Sequence, residues 1–187
     1  MPRQVDPSQR LAAVGDAVTT IAITSGFGAV TIRAVAEHIG ASTSAVTYVV
    51  GGRDDVLRSA VRHEIEARRT QAETAISGAT GATALRALIE WAVLTPDERT
   101  HRLWLAMVLG ARTEPVLRAE LDEFNAWWDQ RVRNLLADSG IRDIEAAADI
   151  LDVTVDGLVV TAFDEGTPWP ADRRRLVLDA IWSPLGI

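Results

Sequence analysis

Apolar side chains follow a helical period along almost the whole chain. Leu11, Val14, Val18, Ile21 and Ala22 recur at threes and fours, one stripe of a 3.6-residue repeat. Asp6, with Pro7 behind it and Gln9 at capping-box spacing, opens that helix, and Gly26 closes it. Its many β-branched residues, Thr19 to Ile21 and Ile23 to Thr24, lower its intrinsic propensity, so packing must hold it. The stretch "TIRAVAEHIGASTSAVTYVV", residues 31–50, predicts two short helices around a glycine turn. Thr31 caps the first, which ends near His38 or Ile39; Gly40 turns the chain at positive φ; Ser42 caps the second, from Thr43 to about Val49. Val35, Ile39 and Ala41 face Val46 and Val49, and Ala36 is small where the helices approach. Thr43, Ser44, Thr47 and Tyr48 are left outward, short hydrogen-bonding side chains of the kind that meet base edges and phosphates. A plain helical hairpin has the same spacing.

The pattern continues with a long helix entered at Gly51-Gly52, its first turn holding Arg53, Asp54 and Asp55, with Val56, Leu57, Ala60, Val61 and Ile65 inward. "SGATGA", residues 77–82, breaks it, and Leu85, Leu88, Ile89, Ala92 and Val93 form the next stripe. "TPDE" at 95–98 opens a further helix with Pro96 at its first position. "LWLAMVLGA" is apolar on every side and predicts a buried central helix. "TEP" at 113–115 starts another, carrying Leu117, Leu121, Phe124, Trp128, Val132 and Leu135. "IEAAADILDVTVDGLVVTAF" and "DRRRLVLDAIW", separated by the turn "EGTPWP", close the chain. The expectation is an all-α protein of about nine helices.

Composition narrows this picture. The 187 residues suffice for a substantial core, and an apolar fraction of 48% with 24% charged residues fits an ordinary globular protein. With no Cys there is neither a disulfide framework nor a thiolate nucleophile, which suits a reducing interior. The N-terminal "MPRQVDPSQR" lacks an apolar leader and no long apolar run follows, so the expected location is cytoplasmic. The charge is uneven. Residues 1–70 hold eight Arg against seven acidic residues, while residues 71–187 hold eleven against nineteen. There is no Lys, and the formal total is −7. An acidic body binds phosphate poorly, so contact with nucleic acid is expected only at the N-terminal end.

Three short helices, a long connecting helix and an all-helical body together resemble the TetR family of bacterial transcriptional regulators. The resemblance is carried by Gly26-Phe27, "TIRAVAEHIGAS", "SAVTY" and "GGRDDVL", over about residues 8–60. It implies a DNA-binding domain at 1–52 and a ligand-binding and dimerisation domain at 53–187. It further implies that Thr31 and Arg33 reach phosphate or base, and that Thr43, Ser44, Ala45 and Thr47, with the cap Ser42, lie in the major groove. Tyr48 would sit on a phosphate, and Arg53 would clamp the DNA backbone beside the N-terminus of its helix. Val49 and Val50 replace a common His and Phe, and Thr43 stands where Lys is frequent. Few cations suffice if two copies dock together, with recognition helices about 34–36 Å apart, and a modest salt dependence follows.

In the family the last two helices pair with those of a second copy. Leu151, Val155, Leu158 and Ala162, with Val177 and Ile181, are the expected contact residues; Val153 and Val160 widen the face, and Gly157 allows close approach. Of six Trp, Trp91, Trp104, Trp127 and Trp128, with Met107 and Phe124, fall on the middle helices that line the family's pocket. That lining favours an apolar or aromatic effector, although each residue alone is better explained by core packing. His38, His63 and His101 are scattered, without metal-ligand spacing, and no nucleophile elbow or phosphate loop is present. No metal, cofactor or enzymatic activity is expected. The alternatives are a helical carrier protein without DNA binding and, less favoured, a helical-bundle enzyme.

Overall fold

A computed structural model describes residues 7–95, 97–164 and 169–187, with the side chains of 7, 8 and 162–164 excepted. The expected cap Asp6, Pro96 and most of the "EGTPWP" turn lie outside the described residues. Among those described there are nine α-helices: α1 Pro7–Ser25, α2 Ile32–His38, α3 Thr43–Val50, α4 Arg53–Ala75, α5 Gly81–Leu94, α6 Glu98–Gly110, α7 Pro115–Asp138, α8 Ile144–Asp164 and α9 Ala171–Leu185. A short 3-10 turn, Phe27–Ala29, follows α1. The chain divides into two compact units, residues 1–66 with 102–123, and residues 67–101 with 124–187.

In the first unit α1 packs on α2 and α3, and α2 on α3. Val14, Ala17, Val18 and Ala22 of α1 are buried, as are Val35, Ala36 and Val46 of the helical pair. Leu11, expected on the same stripe, is exposed: the buried face begins one turn later. Both expected caps form. Thr31 Oγ1 accepts from the Ala34 amide at 3.0 Å and Ser42 Oγ from the Ala45 amide at 3.2 Å. Between them Gly40 takes φ +64°, while the Ala41 amide donates to the Ala36 carbonyl and the Gly40 amide to Glu37. Those two bonds close the end of α2 in a Schellman arrangement, which requires the left-handed residue that glycine supplies. Phe27, Val30, Val56, Leu57, Val61, Ile65, Leu103, Met107, Leu117 and Leu121 are also buried here.

The apolar run in α6 is not buried all round. Leu103 and Met107 face inward, whereas Val108 and Leu109 are exposed, so α6 is amphipathic like its neighbours. At its end Gly110 has no room for a side chain: a Cβ would lie 2.9 Å from Leu117 Cδ1 and 3.1 Å from Phe27 Cδ2. Gly110→Ala is therefore expected to destabilise by about 1–3 kcal/mol, read as a lowered urea midpoint with an unchanged slope.

The second unit is built on α5, which packs on α8 and α9. Its core includes Leu85, Leu88 and Ile89 of α5, Val132, Leu135 and Leu136 of α7, Leu151 and Leu158 of α8, and Leu178 and Trp182 of α9.

Candidate nucleic-acid interface and effector region

The α3 helix presents one sealed and one open face. Val46 is fully buried, Ala45 half-buried, and Thr43, Ser44, Thr47 and Tyr48 are exposed, the tyrosine ring at 89%. Arg33 and Thr31 are exposed on and before α2. The hydroxyls are held by the backbone: Thr47 Oγ1 donates to the Thr43 carbonyl at 3.1 Å, while Ser42 Oγ lies 3.1 Å from Ser44 Oγ. A capping hydroxyl that accepts from an amide keeps its own O–H to donate, so Thr31 and Ser42 can still serve a phosphate oxygen.

The expectation places Arg53 on the DNA backbone; in the protein alone its guanidinium is turned inward onto protein acceptors. Nε donates to the Val30 carbonyl at 2.7 Å, and Nη2 to the Phe27 carbonyl at 3.0 Å. Nη1 and Nη2 form a two-point pair with Glu114, at 2.8 and 2.7 Å. At the α4 N-terminus Asp55 Oδ2 accepts from the Gly52 amide at 3.0 Å. Lower on α4, Arg62 pairs with buried Glu120 at 2.8 Å, with Arg58 at 3.9 Å. Nothing local in the sequence announces Glu114 or Glu120: their partners lie about sixty positions away.

The expected effector residues divide between the units: Trp104 and Met107 belong to the first, and Trp91, Phe124, Trp127 and Trp128 to the second. In the second, Phe124 and Trp127 have ring centres 5.4 Å apart, and Trp127 and Trp128 6.4 Å, all tilted. The Arg69 guanidinium lies 5.6 Å from the Trp127 ring centre and that of Arg68 5.4 Å from Trp91. The two adjacent tryptophans are both half-buried. Trp128 Nε1 donates to Asp152 Oδ1 at 2.9 Å, and burial nevertheless pushes that carboxyl above its ordinary value.

Of the expected dimer residues, Leu151 and Leu158 need correction: they are sealed in the core of their own unit and offer nothing to a second copy. Val155, Val177 and Ile181 pack against that core but are half-buried, each with part of its side chain open. The side chain of Ala162 lies outside the described residues. The uncovered apolar stripe on α8 is one step round the helix: Ile150, Val153 and Val160, with Leu176 on α9. Among the described residues, no three metal-ligating side chains converge, and no helix is long and apolar enough to cross a membrane.

A capped helix-turn-helix with a polar outer face, in an all-helical chain with an aromatic cluster, defines a helix-turn-helix transcriptional regulator. Residues 77–183 match the family model described as tetracyclin repressor-like, C-terminal domain. The chain belongs to the TetR family. Among solved structures it is similar to a transcriptional regulator from Rhodococcus sp. RHA1, at 24% identity and TM-score 0.80, covering 94% of this chain and 95% of that one. A regulator from Saccharomonospora viridis in complex with choline has 18% identity and TM-score 0.81, covering 94% and 96%. A TetR-family member from Streptomyces coelicolor has 25% identity and TM-score 0.67, covering 92% and 97%. No curated protein matches the sequence.

Proposed function

We propose that the protein acts as a homodimer that binds a (pseudo)palindromic operator through two copies of α3 and releases it when a small molecule binds the body, as a repressor does. The exposed face of Thr43, Ser44, Thr47 and Tyr48 over a buried Val46 carries this reading. Residues 1–52 read DNA; residues 53–187 hold the effector and the partner copy. Ala45 is a half-buried contributor beside the four exposed side chains, and Thr31, Arg33 and Ser42 serve the phosphates. The aromatic cluster supports an apolar or aromatic effector, and the choline held by the relative supports a small compact one. The effector acts by shifting the population toward head spacings that no longer match the groove. A cytoplasmic, non-enzymatic role is consistent with all of this.

With Arg53 engaged inside the protein, Arg33 is the one cation between Arg10 and Arg53 in the sequence. Hydroxyls and helix ends then do most of the phosphate work. Selection of bound DNA from a random pool is expected to yield a two-fold repeated half-site about one helical turn apart. In gel shifts on that site, Tyr48→Ala and Arg33→Ala each weaken binding about ten-fold or more without changing the melting temperature. The salt slope is expected to correspond to fewer than about six released counterions per dimer. Failure to select any DNA, alongside tight uptake of a small molecule, would favour the carrier reading instead.

A further inference from the structure

The second unit contains a cationic cluster that the aromatic reading leaves unexplained. His101, at the start of α6, is only 5% exposed, and its Nε2 has no hydrogen-bond partner among the described residues. Its other nitrogen is held by the Ala92 backbone at the end of α5. The next carbonyl, Val93, accepts from Nη1 of Arg174 on α9, whose Nε is likewise buried without a partner. The two side chains are thus tethered to consecutive carbonyls, each with a nitrogen left over. Arg68, on α4, adds a third group, its guanidinium against Trp91. Burial lowers the proton affinity of His101, and Arg68 and Arg174 lower it further. Among the described residues the acidic group acting on it is Asp97, which is exposed and accepts from the Thr100 amide at 2.8 Å. Burial also lowers the Arg174 pKa.

A buried imidazole nitrogen free to accept a proton, beside a buried Arg174 N–H, both without a partner among the described residues, fits a carboxylic acid that enters with its proton, and the apolar surface of Trp91 nearby fits an organic one. We propose that His101 and Arg174 form the polar end of a binding site for an organic carboxylate, with Trp91 against the ligand's apolar part. Calling that ligand the effector rests on the regulator reading above; the binding itself does not. The carboxylate accepts from Arg174 Nε and from His101 Nε2, which takes up one proton as the ligand enters. Binding is therefore linked to protonation: a carboxylate raises the His101 pKa, and its affinity falls as pH rises between the free and bound values. Among the described residues, Arg68 from α4, Arg174 from α9 and Asp97 before α6 are the charges that act on this imidazole.

The test uses the full-length protein with benzoate and hexanoate, each against its primary amide, by calorimetry and thermal shift at about pH 5.5 and about pH 7.5. Both carboxylates are expected to bind more than ten-fold tighter than their amides, and more tightly at the lower pH. Arg174→Gln and His101→Gln are expected to lose that preference, while Arg174→Lys keeps part of it. Since those variants remove buried groups, NMR titration of His101 in the unaltered protein provides an independent reading, with benzoate raising its pKa. Equal binding of amide and carboxylate, no binding of either carboxylate at about 10 mM, or an unmoved His101 would overturn the proposal. Selection of DNA by the same protein separates the two readings. Operator binding without carboxylate binding removes this site alone; carboxylate binding without any operator supports this site and removes the regulator.

Discussion

Val153→Glu is expected to leave the protein monomeric and unable to hold its operator, with each unit still folded. Val153 is 73% exposed on α8 and Leu176 68% exposed on α9, and Ile150 and Val160 extend the stripe to either side. Positions 150, 153, 157 and 160 fall on one side of a helix, spaced at threes and fours. Gly157 lies among them with open space where a Cβ would stand, so a second helix can approach the backbone there. Covering one such valine or leucine is worth about 1.5–3 kcal/mol, and two-fold symmetry counts it twice. A glutamate on the same spot must lose its hydration in the interface, opposite or near its own copy. The expected result is a dissociation constant raised more than about a hundred-fold, roughly 2.8 kcal/mol. Light scattering across a dilution series reads the mass, and circular dichroism checks the fold. By contrast Leu151→Ala, at a position first read as interface, should lower the melting temperature by opening a cavity in the core and leave the subunit affinity less affected. A Val153→Glu protein that remains dimeric and binds the operator normally would place the partner copy on another face.

Where local rules decide, the sequence was informative. Thr31, Gly40 and Ser42 each act within a few residues of themselves, and the two short helices stand within a residue of their expected ends. The α5 stripe was equally readable, since Leu85, Leu88, Ile89, Ala92 and Val93 are all buried. Helix α8 was harder because it is apolar on two faces. Leu151 and Leu158 share one stripe and Val153 and Val160 the other, and periodicity alone cannot say which stripe meets its own core. Leu11 and the pair Val108 and Leu109 were misplaced for a related reason: an apolar residue does not reveal whether anything lies opposite it. The engagement of Arg53 was invisible, because an arginine in the first turn of a helix looks the same whether it awaits a phosphate or grips a glutamate sixty-one positions away. The His101 and Arg174 cluster was hidden likewise, its members brought together by three helices.

Arg53→Ala is expected to loosen the DNA-reading unit itself. Its guanidinium joins the turn after α1, through the Phe27 and Val30 carbonyls, to Glu114 at the entrance of α7. Removing it leaves a carboxylate only 15% exposed beside two carbonyls without their donor. One partner missing from a pair of this kind costs about 2–4 kcal/mol, at the lower end here because the Arg53 side chain is 31% exposed. That corresponds to a melting temperature lower by about 4–10 °C for a chain of this size. Arg53→Lys keeps the charge but not the fork and should lose about half as much. The pH dependence has a definite sign. The Arg53 hydrogen bonds hold the Glu114 carboxyl below its ordinary value of 4.5. Its contribution is therefore full above that value and disappears as pH falls through the lower, folded one, while Arg53 stays charged throughout. The stability gap between the protein and Glu114→Gln should accordingly narrow as pH falls below that ordinary value. The same pair of variants separates a brace from a phosphate clamp. As a brace, Arg53 and Glu114 work together, so Glu114→Gln lowers both stability and operator affinity. As a clamp, Arg53 would be held back by Glu114, so Glu114→Gln would release it and tighten operator binding. Tighter binding by Glu114→Gln would return Arg53 to the DNA backbone.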